Sequence, residues 1–177
     1  IGLIILSVGI VTGLWGVILA AVQNDAKRLL AYSSIENVGV IFIGLGIATL
    51  GQASGNHLVA TIALCGALLH TVNHSLFKSL LFFGAGNIYS QMHTTLLDKF
   101  GGVAKHMPVP AILFFIATLA ICALPPLNGF VGEFLIYLGM LDSVRDNVNT
   151  IYAASGLLAL ALIGGIAVLA FSKLYST

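Results

Sequence analysis

The sequence predicts an all-α, polytopic transmembrane helix bundle, and two observations support this fold class. Hydrophobic residues make up 59% of the 177 residues and charged residues only 7%, whereas soluble domains carry about 25% charged residues. The apolar residues also form runs long enough to cross the roughly 30 Å hydrocarbon core as helices. Such a chain cannot cover itself with polar surface, so we expect an integral membrane protein.

About six membrane segments follow one another along the chain. The third segment is longer than the ~20 residues that one crossing needs, so it should tilt or protrude from the bilayer. Short polar turns separate the first three segments, and the longest polar connection follows the third. The predicted segments cover residues 1–22, 29–50, 57–89, 108–123, 130–142 and 151–172.

The fourth and fifth segments flank a break in the helix. Pro125, Pro126 and Gly129 must interrupt it, because proline removes a backbone donor and glycine permits unusual angles. The helix predicted after the break would be only about 20 Å long, too short to cross alone. Irregular backbone at membrane depth survives only where protein or water surrounds it, so the break is a functional candidate.

The distribution of charge suggests an orientation. If six separate crossings alternate, five basic residues share one side and only Lys173 lies on the other; the five are Lys27, Arg28, Lys99, Lys105 and Arg145. The positive-inside rule makes the first side cytoplasmic. The chain also begins at Ile1 within an apolar run and ends at Thr177 just after another, so we expect a fragment of a longer membrane protein.

Charge and cysteine content exclude several classes of site. The formal net charge is +1, with no basic run or acidic tail, so nothing indicates a nucleic-acid partner. Cys65 and Cys122 lie in apolar stretches without CxxC spacing, and we expect small core residues rather than a disulfide or metal site. Because the sequence has no paired haem ligands and no nucleotide-binding loop, we expect no cofactor in this chain.

Three polar side chains share one face of the third segment. His70, His74 and Lys78 are four residues apart, so on an α-helix each turns about 40° and rises about 6 Å from the last. A lysine at this depth costs about 2.5–3.5 kcal/mol on insertion scales, which indicates a partner or a function. We predict a proton relay, because imidazole accepts and donates protons near neutral pH and a buried lysine releases its proton more readily.

We call His70, His74 and Lys78 the ladder. Each of these three residues also has a simpler interpretation. Lys78 could snorkel to the headgroups or form a structural ion pair, and His70 and His74 could be core histidines bonded to carbonyl groups. The two histidines could instead share a zinc ion in a membrane hydrolase, although no HExxH motif or neighbouring Cys or Asp supports this. The ladder could also serve only to hold helices together.

Acidic residues in or near the apolar segments are candidate partners. Glu133 follows the break by one turn and is either the terminal carboxyl of the relay or a charge favoured by the helix dipole. Glu36 lies two turns into the second segment and is either a channel residue or the partner of a lysine outside this sequence. Asp25 and Lys27 are secondary relay or ion-pair candidates, and Lys27 is most simply a headgroup contact.

Three stretches carry a family resemblance. Residues 24–34 (NDAKRLLAYSS) resemble a DxKRLLAYSS motif, residues 70–82 (HTVNHSLFKSLLF) an HxxxHxxFKxxLF motif, and residues 124–133 (LPPLNGFVGE) an LPPxxGFxGE segment. These motifs, in this order, resemble those of the antiporter-like membrane subunits of respiratory complex I, multisubunit sodium/proton antiporters and membrane-bound hydrogenases. Residues 35–39 (IENVG) favour the large subunit of formate hydrogenlyase-type complexes, since complex I proteins usually lack this glutamate.

The resemblance implies a fold and a function. The fold would be part of a larger subunit with two inverted five-helix repeats, with residues 1–22 preceding the second repeat and residues 29–172 forming it. Lys78 would be the central lysine of a proton-translocating subunit and Glu133 its terminal acid, while the broken helix of the first repeat lies outside this sequence. The expected setting is a bacterial or archaeal cytoplasmic membrane, with other membrane subunits and a peripheral redox arm as partners. The resemblance also predicts that the loop after residue 89 faces the outer side, opposite to the charge count.

Overall fold

The computed structural model describes residues 1–100, 102–147 and 149–175, most of which are helical. Four helical spans in these ranges are long and apolar enough to cross a membrane: 2–21, 26–53, 57–92 and 150–175. The predicted all-α transmembrane bundle is therefore confirmed. Its helices are α1 (Gly2–Ala21), α2 (Ala26–Ala53), α3 (His57–Met92), α4 (Val103–His106), α5 (Pro108–Ile121), α6 (Asn128–Arg145) and α7 (Thr150–Ser172), with 3-10 turns at Leu97–Lys99 and Lys173–Tyr175.

Polar residues of the short turns cap the two helices that follow them. The Asp25 carboxylate accepts a hydrogen bond from the Arg28 backbone N–H at 3.0 Å, and the Asn56 side chain accepts one from Val59 N–H at 3.1 Å. Each cap satisfies a backbone donor that the first turn of a helix leaves free. This is why α2 begins at Ala26 rather than at the predicted residue 29.

The predicted break separates α5 from α6, but α6 is longer than expected. It has 18 residues and reaches Arg145, so it is about 27 Å long rather than 20 Å. Ser143 is 2% exposed, which shows that the polar end of α6 still packs within the bundle. At the break itself, a Cβ atom on Gly129 would lie 1.9 Å from the Ala120 carbonyl oxygen, so glycine alone lets the two helix ends touch.

Helices α5 and α6 together form one interrupted crossing, and the expected alternation of six separate crossings is wrong. At the far end of α6, the Asn56 side chain donates to the Asp146 carboxylate at 3.0 Å. At the opposite end of the bundle, the Lys173 ammonium donates to the Ala21 carbonyl oxygen. The physical reason is length, because the 14 residues of α5 cover only about 21 Å.

With α5 and α6 as one crossing, two basic residues change sides of the membrane relative to the predicted orientation. Arg145 lies with the turn between α2 and α3, while Lys173 lies with Lys27 and Arg28. The basic residues still divide five to one, so the positive-inside rule makes the same prediction for the side that carries Lys27.

Two apolar core clusters occupy opposite halves of the bundle. The first includes Leu30, Phe77, Leu81, Phe114 and Phe171. The second includes Val40, Ile43, Ile136, Met140 and Leu160. Between these clusters, both α2 and α3 carry buried polar residues, which places a polar layer at the middle of the bundle.

Close glycine contacts join α1 to α2. A Cβ atom on Gly16 would lie 2.4 Å from the Glu36 backbone nitrogen, and one on Gly39 would lie 2.3 Å from the Gly13 nitrogen. Small residues of this kind let transmembrane helices approach backbone to backbone. Helix α1 therefore covers the side of α2 that carries the backbone of Glu36.

Candidate functional site

Six buried polar side chains define the polar layer between the core clusters. All six are less than 9% exposed, and α2 and α3 supply three each: Ser33, Glu36 and Asn37, and His70, Asn73 and Lys78. Buried polar groups are costly unless they are hydrogen-bonded. The partner of each group therefore indicates what the layer can do.

Lys78 is buried and hydrogen-bonded to neutral groups of α2. Its side chain is 6% exposed, and Nζ donates to the Leu30 carbonyl oxygen at 2.6 Å and to Ser33 Oγ at 2.5 Å. The side chain does not snorkel to the headgroups. An ammonium group held by neutral acceptors keeps its hydrogen bonds without being locked in a contact ion pair.

His70 is held in one tautomer by α2. Asn37 Nδ2 donates to the Ser33 carbonyl oxygen at 2.8 Å, which directs Asn37 Oδ1 toward His70 Nε2 at 3.0 Å. Since an amide oxygen only accepts, Nε2 of the imidazole carries the hydrogen. His70 Nδ1 is then the buried acceptor, and it has no protein partner within the described ranges.

His74 continues the ladder but is only half-buried. Its Nε2 atom is a second buried ring nitrogen that no described residue contacts by a hydrogen bond. Both imidazoles meet the edge of Phe77, with ring centroids 6.3 Å apart for His70 and 5.5 Å for His74. Each histidine therefore keeps one ring nitrogen available for exchanging a proton.

Hydrogen bonds fix the start of α6 against α3, the helix that carries the ladder. Asn73 Nδ2 donates to the Asn128 carbonyl oxygen at 2.7 Å, and Asn128 Nδ2 donates back to Asn73 Oδ1 at 3.2 Å. One turn later, a Cβ atom on Gly132 would lie 2.9 Å from His70 Cα. The residue after Gly132 is Glu133, so these contacts set the position of that carboxyl relative to the ladder.

Glu133 lines a cavity beside the helix break. The cavity has a volume of about 320 Å³, and its lining includes Cys122, Glu133, Tyr137, Gly164 and Gly165. The Glu133 side chain is half-buried. A carboxyl that lines such a cavity can exchange protons with water that enters it.

The two secondary candidates lie outside the polar layer. Asp25 caps α2 and accepts a hydrogen bond from the Thr95 hydroxyl, which ties the loop after α3 to the start of α2. Lys27 Nζ lies 4.5 Å from the centroid of the Tyr89 ring. The structure thus gives both residues contacts at the end of the bundle, and it does not bring them to the ladder.

The structure gives the metal hypothesis no support. Within residues 1–100, 102–147 and 149–175, no three His, Cys, Asp or Glu side chains converge on a possible metal position. Cys65 lies on the exposed face of α3, so the prediction of a core residue was wrong there, whereas Cys122 is half-buried and packs against the first core cluster. Cys65 is exposed because it shares a face of α3 with Leu64 and Leu68, and the described residues leave this face uncovered.

Sequence reasoning missed four side chains of the site, all neutral: Ser33, Asn37, Asn73 and Asn128. The spacing of Ser33, Glu36 and Asn37 at i, i+3 and i+4 places all three on one face of an apolar helix. This spacing was a signal that could have identified the α2 side of the layer. The pairing of Asn73 with Asn128 has no such signal, because it depends on the position of α6.

Known proteins share both the sequence and the fold. The chain is 41% identical to hydrogenase-4 component B of Escherichia coli K12, over 98% of this chain and 26% of that protein. It is 39% identical to formate hydrogenlyase subunit 3 of the same strain, over 98% of this chain and 29% of that protein. The chain thus spans less than a third of the length of these two curated relatives.

Solved structures agree with this likeness. Thermus thermophilus respiratory complex I with bound NADH matches with a TM-score of 0.76 and 28% identity, over 98% of this chain and 34% of that chain. An archaeal membrane-bound sulfane sulfur reductase has the same fold, with a TM-score of 0.78 and 21% identity, over 97% of this chain and 31% of that chain. The family described as NADH:quinone oxidoreductase/Mrp antiporter, transmembrane, matches residues 1–160. The resemblance predicted from three motifs is confirmed, and the chain belongs to this family.

Proposed function

We propose that this chain moves protons across the membrane through a relay of Lys78, His74, His70 and Glu133. It does so as part of a larger membrane subunit whose partners carry out redox chemistry, and the hydrogenase and formate hydrogenlyase relatives favour a hydrogenase-type complex. The observation that carries the proposal is the Lys78 ammonium, buried between neutral acceptors on the same helix as two histidines with unpaired ring nitrogens.

Each part of the relay has a chemical role. Lys78 holds a proton without a contact ion pair, so the cost of moving that proton is set by nearby charges. His70 and His74 each offer one free ring nitrogen, and neutral imidazole can accept at one nitrogen and donate from the other. Glu133 exchanges the proton with the cavity at the helix break.

Replacement of Lys78 by methionine in the full-length subunit, within its complex, tests the proposal. The variant keeps the length of the side chain and removes the ammonium group. Its two former acceptors keep other bonds, because Ser33 Oγ also donates to the Leu30 carbonyl oxygen at 3.1 Å. We therefore expect assembly to be preserved and coupled proton transport, measured with a pH-sensitive dye in proteoliposomes, to fall at least tenfold.

Lys99→Met, in the exposed loop after α3, is the matched control and should transport protons within twofold of the wild type. Full transport by Lys78→Met would refute the relay. Loss of assembly in Lys78→Met, with normal transport by whatever complex forms, would instead favour a purely structural ladder.

A further inference from the structure

We propose that Glu36 carries the proton between Lys78 on α3 and Glu133 on α6. This inference rests on the proposed relay, in which the histidines pass the proton along α3 to Lys78, and it adds a carrier on α2 for the step from Lys78 to Glu133. It assigns to Glu36 a partner inside this chain, rather than a lysine outside it.

The position of Glu36 on α2 supports this assignment. Ser33, one turn before Glu36, contacts the Lys78 ammonium, and Asn37, the next residue, contacts His70. Side chains three residues apart on a helix have Cβ atoms about 5–6 Å apart. Glu36 therefore belongs to the same face of α2 that holds both ends of the ladder.

Burial leaves the Glu36 carboxyl with an unused polar atom. The side chain is 3% exposed, and Oε2 has no hydrogen-bond partner among the described residues. On its backbone side Glu36 is covered by Gly16 of α1, which has no side chain to offer. A buried carboxyl that only stabilised the fold would be expected to have both oxygens bonded.

The charges of the polar layer link Glu36 to both proposed neighbours. The charges of Lys78 and Glu133 both act on the Glu36 carboxyl, and the charge of Glu36 acts in turn on Lys78. Both carboxyls also act on Cys122, which lines the cavity at the break. Glu36 is thus within electrostatic range of the ammonium, of Glu133 and of the cavity lining.

The transfer balances without any further reactant. An N–H bond of the Lys78 ammonium breaks as an O–H bond forms on the Glu36 carboxylate, which leaves a neutral amine and a neutral acid. The O–H bond of Glu36 then breaks as one forms on the Glu133 carboxylate. Each step moves one proton and no electrons, so the net result is the movement of a positive charge from α3 toward the cavity.

The test uses Glu36→Gln and Glu36→Asp in the full complex. Glutamine preserves shape but cannot take up the proton, so we expect coupled transport to fall at least tenfold while assembly is retained. Aspartate keeps the acid, so we expect it to retain a measurable part of the transport. Asp142→Asn, a half-buried acid near the far end of α6, is the matched control and should remain within twofold of the wild type.

Infrared difference spectra separate a proton carrier from a fixed partner of Lys78. If Glu36 takes up and releases a proton during turnover of the complex, the difference spectrum contains a C=O band from its protonated carboxyl. This band should shift in Glu36→Asp and disappear in Glu36→Gln. If Glu36→Gln does not assemble, the comparison of wild type with Glu36→Asp decides, and a band that does not shift overturns the proposal. Wild-type transport by Glu36→Gln, with Lys78→Met inactive, would overturn it while leaving the proposed function intact.

Discussion

Substitution of Gly129 by alanine tests whether the helix break is held by direct backbone contact. An added Cβ would lie 1.9 Å from the Ala120 carbonyl oxygen and 3.0 Å from its carbon. That oxygen is fixed at the end of α5, where it accepts the Ala123 N–H at 3.2 Å. The clash cannot be relieved by rotating a side chain, so α5 and α6 must move apart.

The magnitude follows from two opposing effects. Overpacking typically costs about 1–3 kcal/mol, and more where nothing can yield, whereas alanine gains up to about 1 kcal/mol over glycine in a helix. We therefore expect Gly129→Ala to lose about 2 kcal/mol of unfolding free energy. For a chain of this size this corresponds to a melting temperature about 4–8 °C lower.

The assay is thermal denaturation of detergent-purified protein, followed by the fraction that remains monodisperse in size-exclusion chromatography. Gly86→Ala on α3 is the control, because a Cβ atom there meets nothing within 4 Å, and it should be neutral or stabilising by up to about 1 kcal/mol. A Gly129→Ala protein as stable as Gly86→Ala would show that the two helix ends do not depend on this contact.

Two further predictions concern pH and the cavity. Burial raises the pKa of Asp25, but the hydrogen bonds from Thr95 and from the backbone of Arg28 and Lys27 outweigh it, so the pKa lies below its ordinary value of 3.8. The stabilisation is therefore present above the ordinary pKa and is lost as the pH falls through the lowered one; Asp25→Asn should melt with less dependence on acid pH, and curves that coincide with the wild type at every pH would contradict this. Gly165→Leu places a large side chain at the wall of the cavity, where a Cβ atom meets nothing within 4 Å, so it should slow proton transport several-fold with normal assembly, while transport equal to that of Gly86→Leu would separate the cavity from the path.

Sequence periodicity was sufficient to predict the ladder and the break, because both depend on local geometry. Four-residue spacing places Lys78 and the two histidines on one face, and paired prolines cannot continue a helix. The path of α6 was not predictable in this way, since it depends on Gly129 and Gly132 meeting Ala120 and His70 in space. The error in alternation followed from this, because two short helices were counted as two crossings.

The neutral hydrogen-bond partners of Lys78 could not be predicted from local sequence patterns either. A buried lysine predicts a carboxylate partner by simple electrostatics, but the structure gives it Ser33 and a backbone carbonyl. These acceptors reach Lys78 only if α2 is rotated so that they face α3. Hydrophobic periodicity defines this rotation poorly, because α2 is apolar on most sides. The role of Glu36 was ambiguous for the same reason.

The glycine contacts between α1 and α2 have a consequence for leakage. Backbones that touch at Gly13, Gly16 and Gly39 leave no gap through which a file of solvent molecules could pass behind Glu36. The contact between α1 and α2 thus closes this side of the polar layer to water. A larger side chain at Gly16 or Gly39 would force α1 away from α2 and open this side of the polar layer to water.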